Sequence, residues 1–277
     1  MKLRIVKPGQ GLVWVRQGLQ IARQQPLNLL GLLGMVATAA LLLMSLPVLG
    51  PLVVVAAMPL VWMGFMLATR HALAGEKIQP AVLIEPVRGQ PELRKAFMRL
   101  GGAYVAATLI VMQLAGIFGP GAEVLAEAFE SAEDVGDIIG NPLVQQDMLW
   151  RMALTLPVSL IFWHTPALTL WARLPLSKAL FFSAVASWRN VGAFAVFGVA
   201  WAAVILVVGV LDRLVAMLIP LPTVANVLAI TAGMWVASAF YASLYFTVVD
   251  CFDAPGQERE NAGPQDDSSD TPSSGQA

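Results

Sequence analysis

The sequence predicts an all-α, polytopic transmembrane helical bundle of about six spans with interfacial amphipathic helices, and three observations carry that expectation. Of its 277 residues, 57% are hydrophobic and 13% charged, with mean hydropathy +0.71. A soluble domain carries roughly 25% charged residues. Several apolar runs reach the ~20 residues that a spanning helix needs, beyond the ten to fourteen of a buried core helix. Lysine and arginine fall almost entirely between alternate pairs of these runs, as residues that resist translocation do.

The chain opens with Lys2, Arg4, Lys7, Arg16 and Arg23 before the first apolar run. This superficially resembles a signal peptide, but the basic region is too long, and Ala37-Thr38-Ala39 lies inside the apolar run instead of after it. The expectation is an uncleaved first span. Within the basic stretch, residues 11–25 place Leu12, Val15, Leu19 and Ala22 on one helical side and Arg16, Gln20 and Arg23 on the other. Segments 91–99 (PELRKAFMR) and 176–190 (LSKALFFSAVASWRN) are weaker versions of the same pattern. Each ends in arginine just before a span, so each is expected to lie in the headgroup plane with its cations on anionic lipid. Three tandem units of interfacial helix plus hairpin follow from that pattern.

The expected spans are 27–45, 48–69, 100–119, 152–171, 191–211 and 224–249. Only Leu46-Pro47 to Gly50-Pro51 separates the first two, which makes a tight helical hairpin with proline where the helix must break. With the N-terminus inside, the inner segments hold fifteen of the seventeen lysines and arginines, and the outer ones only Arg151 and Arg213. Both termini are therefore expected in the cytoplasm. Trp14, Trp62, Trp150, Trp171 and Trp188 fall at or near the span boundaries, as an aromatic belt does. Small residues at Ala103/Ala107, Gly233/Ala237 and Ala239/Ser243 let helices approach closely.

The outer loop 120–148 carries seven acids and no lysine or arginine. Glu123, Glu127, Glu130, Asp134 and Asp137 are spaced to share one face of a single short helix. Such a strip could dock a basic partner or hold a divalent cation weakly; the blander account is a solvated face whose sign obeys the translocation bias. Residues 1–252 form the expected membrane domain. From residue 253 the composition turns to Gly, Pro, Ser, Gln and acids, and a disordered acidic cytoplasmic tail is expected.

The candidate site is in the fourth span. His164 lies a little past its middle, beside Trp163 and between Pro157 and Pro166. Each proline removes a backbone donor, and a broken helix with freed carbonyls at mid-depth is a common way to build a substrate or ion site. The alternative is a neutral imidazole bonded to a neighbouring span, with Gln113, Asn226 or Tyr241 as partner.

Chemistry elsewhere is excluded by class. The lone Cys251 forms no intrachain disulfide or thiolate cluster, and phosphate-loop, dinucleotide, H-E-x-x-H and G-x-S-x-G patterns are missing. A basic patch interleaved with aromatics is also missing, so no nucleic acid, cofactor or metal is expected. The expected spans hold no carboxylate, lysine or arginine, with Asp212, Arg213 and Asp250 at their ends.

The opening LRIVKPGQGLVWVRQGLQIARQQPLNLLGLLG, the stretch PLVWMGFMLATRHALAGEK and the run Ser183-Ala184-Val185-Ala186-Ser187-Trp188-Arg189-Asn190 resemble an uncharacterised family of multi-pass inner-membrane proteins of proteobacteria. The resemblance covers most of the chain except the acidic loop and tail, and implies an inner-membrane location with about six helices. It carries over no catalytic residue. The expected role is a non-enzymatic envelope or accessory protein acting through lipid, a membrane-protein partner or its own oligomer. The alternative is a transporter or channel for a small or apolar solute at the kinked fourth span.

Overall fold

The structure, a computed structural model, describes residues 2–132, 135–219 and 221–252; Asp134 and the 253–277 tail lie outside the described residues. The helices are α1 (Gln10–Gln24), α2 (Pro26–Met44), α3 (Leu49–Leu73), α4 (Pro91–Phe118), α5 (Ala122–Glu130), α6 (Val135–Gly140), α7 (Pro142–Phe162), α8 (Thr165–Trp171), α9 (Leu176–Arg189), α10 (Val191–Leu218) and α11 (Pro222–Cys251). Among the described residues, six helical stretches are long and apolar enough to cross a membrane: α2, α3, α4, α7 with α8, α10 and α11. Proline opens α2, α4, α7, α8 and α11. At a first turn its missing N–H costs nothing and its fixed φ already suits a helix.

The spans pack side by side as an arc. Helix α10 lies on α11, α11 on α2 and α3, α3 on α4, and α4 on α7. The contacts are close where side chains are small. A Cβ on Gly101 would meet the carbonyl of Ala56 at 2.4 Å, which lets α4 press against the backbone of α3. The hairpin between α2 and α3 turns on Val48, whose φ of 64° and ψ of −53° form a γ-turn closed by Leu49 N–H donating to the Pro47 carbonyl at 2.7 Å.

One end of the arc is capped by an extra layer built from residues 2–9, α1, α8, α9 and the last turns of α11. Leu3 forms an antiparallel bridge with Phe252, and Arg4 N–H donates to the Cys251 carbonyl at 2.9 Å. Buried Asn190 ties this segment down: its Oδ1 accepts from Val6 N–H at 2.8 Å, and its Nδ2 donates to the Arg4 carbonyl at 3.1 Å. Gln10 and Trp14 both donate to Asp250 Oδ2, at 2.6 and 2.7 Å.

The structure departs from several sequence expectations. First, α1 packs on α10 and α11 with Trp14, Val15, Gly18, Ile21 and Ala22 buried, so its apolar face meets protein, while Leu12 remains 51% exposed. The buried stripe runs through Gly11 and Gly18, where missing side chains admit the partner backbones. Second, segment 91–99 is no separate interfacial helix. It runs uninterrupted into α4, since nothing between Pro91 and Phe118 breaks the helix. Third, α10 continues past Asp212 and Arg213 to Leu218, about 9 Å further at 1.5 Å per residue. Both charges therefore lie within the helix, about 31 Å from its start at Val191, so α10 outruns the hydrocarbon thickness and the charges remain near its boundary. Asp147 and Arg151 likewise lie within the fourth span, which begins at Pro142, ten residues before its expected start.

Candidate functional site at the break in the fourth span

Helix α7 runs through Pro157 without interruption; the break comes at Trp163 and His164, where Pro166 and the residues around it start α8. The 21 residues of α7 already extend about 31 Å, a full hydrocarbon thickness. His164 therefore sits at the capped end of the bundle and not past the middle of the membrane. It is 0% exposed.

The break is closed from within the chain. His164 N–H, which in a continuous helix would donate to the Leu160 carbonyl, donates instead to Ser183 Oγ on α9 at 2.9 Å. The released Leu160 carbonyl accepts from the hydroxyls of Ser187 at 2.9 Å and Ser183 at 3.4 Å. Thr165 Oγ1 donates to the Ile161 carbonyl at 2.9 Å. Ser183 and Ser187 are four apart on α9 and so share a face, which places both hydroxyls at the gap. Unpaired backbone at this depth costs several kcal/mol, and small polar side chains remove that cost.

The imidazole ring stands edge-to-face on Phe194 and Phe252, with centroids at 5.6 and 5.3 Å. Its Nδ1 lies 3.5 Å from Ser187 Oγ, and among the described residues Nε2 has no hydrogen-bond partner. Gln113, Asn226 and Tyr241 are not its partners; the bonds come from α9, a helix outside the six spans. Trp163 Nε1 donates to Thr247 Oγ1 on α11 at 3.1 Å, and its ring sits edge-on to Phe194, Phe197 and Phe240. Through Trp163 the end of α7 reaches both α10 and α11. His164, Trp163 and Pro166 thus form one buried joint, while Pro157 stands a turn and a half away on an exposed part of α7.

The acidic strip is divided. Glu123, Glu127 and Glu130 lie on α5, which Ser131 ends by donating its N–H to the Glu127 carbonyl and its Oγ to the Ala128 carbonyl. Asp137 belongs to the separate α6, and Asp134 falls outside the described residues. The single helix expected over all five is therefore not formed, because serine capping its own carbonyls competes with helix continuation. No group of three or more potential metal ligands occurs among the described residues.

Sequence reasoning missed Ser183, Ser187 and Asn190, all buried on one short helix. Their four-residue and three-residue spacing was the available signal. It also missed a cluster at the end of α3, where His71 Nδ1 pairs with Glu76 and Nε2 lies 3.2 Å from Glu85. That cluster is solvent-exposed.

Fold and site together define a multi-pass α-helical membrane protein whose fourth span is broken and resealed at the capped end. The chain is 35% identical over 257 residues to a probable inner membrane protein of Burkholderia thailandensis, covering 91% of this chain and 94% of that one, and it belongs to the same family. No family model matches the sequence. No solved structure matches it either.

Proposed function

We propose that this protein is a non-enzymatic component of the bacterial inner membrane that works through lipids or membrane-protein partners. The observation that carries this reading is the sealed joint at His164. The His164 N–H and the Leu160 and Ile161 carbonyls at the break are taken up by serine or threonine hydroxyls, and the histidine is fully buried among aromatic rings. A proton or solute path through the fourth span would need water at that ring.

The test is thiol accessibility. With Cys251→Ser removing the native thiol, Ser187→Cys places a probe at the joint. Refusal of a small membrane-impermeant maleimide from both sides of sealed vesicles supports the reading. Rapid labelling would instead favour a transporter with its site at the kinked fourth span.

The same reading places the capped end, with both described ends of the chain, in the cytoplasm. Its support is the lysine and arginine excess on that side of the spans. Reporter fusions after Glu130 and at the carboxyl end should report outside and inside respectively, and swapped signals would invert the orientation.

A further inference from the structure

A cavity of ≈ 510 Å³ runs along the seam between α10 and α11, away from the capped joint. Trp201 and Phe240 stand at its inner end, Gly209, Gly233 and Ala237 carve its middle, and the Asp212 carboxylate lies at the other end. From Trp201 to Asp212 the groove extends about 16 Å, close to the ~15 Å of one bilayer leaflet. Its flanks face lipid: Ile205, Leu206 and Val210 on α10 are 60%, 68% and 51% exposed.

The glycines are unfilled by protein. A Cβ on Gly209 or Gly233 would meet nothing within 4 Å, whereas Gly11, Gly18 and Gly101 are each pressed against a partner backbone. The Gly233/Ala237 pair therefore opens a space instead of packing two helices together. Asp212 is half-buried, and among the described residues no cation pairs with it. Arg213 is the next residue and exposed, but neighbours in a helix do not face each other. From Val191 to Asp212 α10 rises about 31 Å, a full hydrocarbon thickness, so this carboxylate stands at headgroup level, where a lipid cation can reach it.

We propose that this groove seats one acyl chain of a phospholipid whose headgroup carries a primary ammonium, with the ammonium on Asp212. The carboxylate at the mouth of the groove matches that cation and would repel a purely anionic headgroup. The apolar wall from Val208 to Trp201 takes the chain, and the three small residues give it room. The proposal goes beyond the reading of the fourth span and uses other helices, so labelling at Ser187 and lipid retention at Asp212 fail independently.

The experiment is native mass spectrometry of the full chain reconstituted in vesicles of dioleoyl-phosphatidylethanolamine and dioleoyl-phosphatidylglycerol in equal parts. The wild type should retain the ethanolamine lipid in preference. Asp212→Asn should reduce that preference by about tenfold, the effect of losing one charge-assisted hydrogen bond. Gly233→Leu should abolish retention by filling the groove, with unfolding temperature and helical content unchanged. Equal retention of both lipids, an unaltered preference in Asp212→Asn, or undiminished binding in Gly233→Leu overturns the proposal. So does a dimer that Gly233→Leu dissociates, which would make a second copy the occupant.

Discussion

Gly18 lies so close to Ala239 that a Cβ on it would sit 2.5 Å from the Ala239 carbonyl oxygen and 2.6 Å from the Ser243 Cβ. This crossing seats α1 closely on the last helix, and backbone on one side leaves no flexible atom to give way. Gly18→Ala should therefore cost about 1–3 kcal/mol, the usual range for overpacking. Gly31 on α2, which would meet nothing within 4 Å, is the control. Gly31→Ala should be neutral or raise stability by about 0.5–1 kcal/mol through helix propensity. Thermal unfolding in one detergent compares them, and equal midpoints would show that α1 does not bear on α11.

The hydroxyls of Ser183 and Ser187 have unequal tasks. Ser183 accepts the only bond found for the buried His164 N–H, while the Leu160 carbonyl served by Ser187 keeps a second, longer donor in Ser183. Ser183→Ala should cost about 1–3 kcal/mol because it strands a buried donor. Ser187→Ala should cost about 0.6 kcal/mol, near the average for intramembrane side-chain bonds. Unfolding in mixed micelles measures both, and a larger loss in Ser187→Ala would refute the assignment of roles.

The spans were legible in the sequence because lipid imposes one length and one composition on each. The tight hairpin at Pro47 and the Ala239/Ser243 contact were legible too, since each has a local cause. The capped layer was not. The α1 sequence has the amphipathic pattern of a surface helix, and only its glycines distinguish a helix pressed on protein from one lying on lipid. The depth of His164 was misjudged because α7 begins at Pro142, where the charges of Asp147 and Arg151 interrupt hydropathy without interrupting the helix; Asp147 Oδ2 accepts from Arg151 Nε at 2.6 Å one turn on. Mutual pairing is what permits both charges there. At the site, His164 and Trp163 were visible as residues, but their partners on α9 depend on a packing that no spacing within the fourth span encodes.

Asn190 joins the 2–9 segment to the end of α9 through one side chain. It bonds Val6, Arg4 and its own helix at Ala186. Replacing it by alanine removes an acceptor and two donations at a site that is 2% exposed, and the backbone groups it served are left without those bonds. Asn190→Ala should open the 2–9 segment, with local protection falling by about 1–3 kcal/mol. The Val6 amide should then exchange with deuterium tenfold faster or more, and trypsin should cut after Arg4 while the bundle remains folded. Unchanged exchange at Val6 would mean that the bridge between Leu3 and Phe252 suffices by itself.

Val48 stores strain at the hairpin. A β-branched residue at positive φ is a true outlier, and such conformations cost about 1–3 kcal/mol. The side chain is 74% exposed, so its removal forfeits little packing. Glycine adopts this φ freely but loses about 0.5–1 kcal/mol more entropy on folding. The balance favours Val48→Gly by about 1 kcal/mol when strain lies in the middle of its range. Two residues on, the sign reverses: a Cβ on Gly50 would meet the Leu43 carbonyl at 1.9 Å. Gly50→Ala must therefore splay α2 from α3. Unfolding temperatures should rank Val48→Gly above wild type and Gly50→Ala below it. A lowered midpoint in Val48→Gly would mean that the γ-turn is held without strain, by the bond between Leu49 and Pro47 alone.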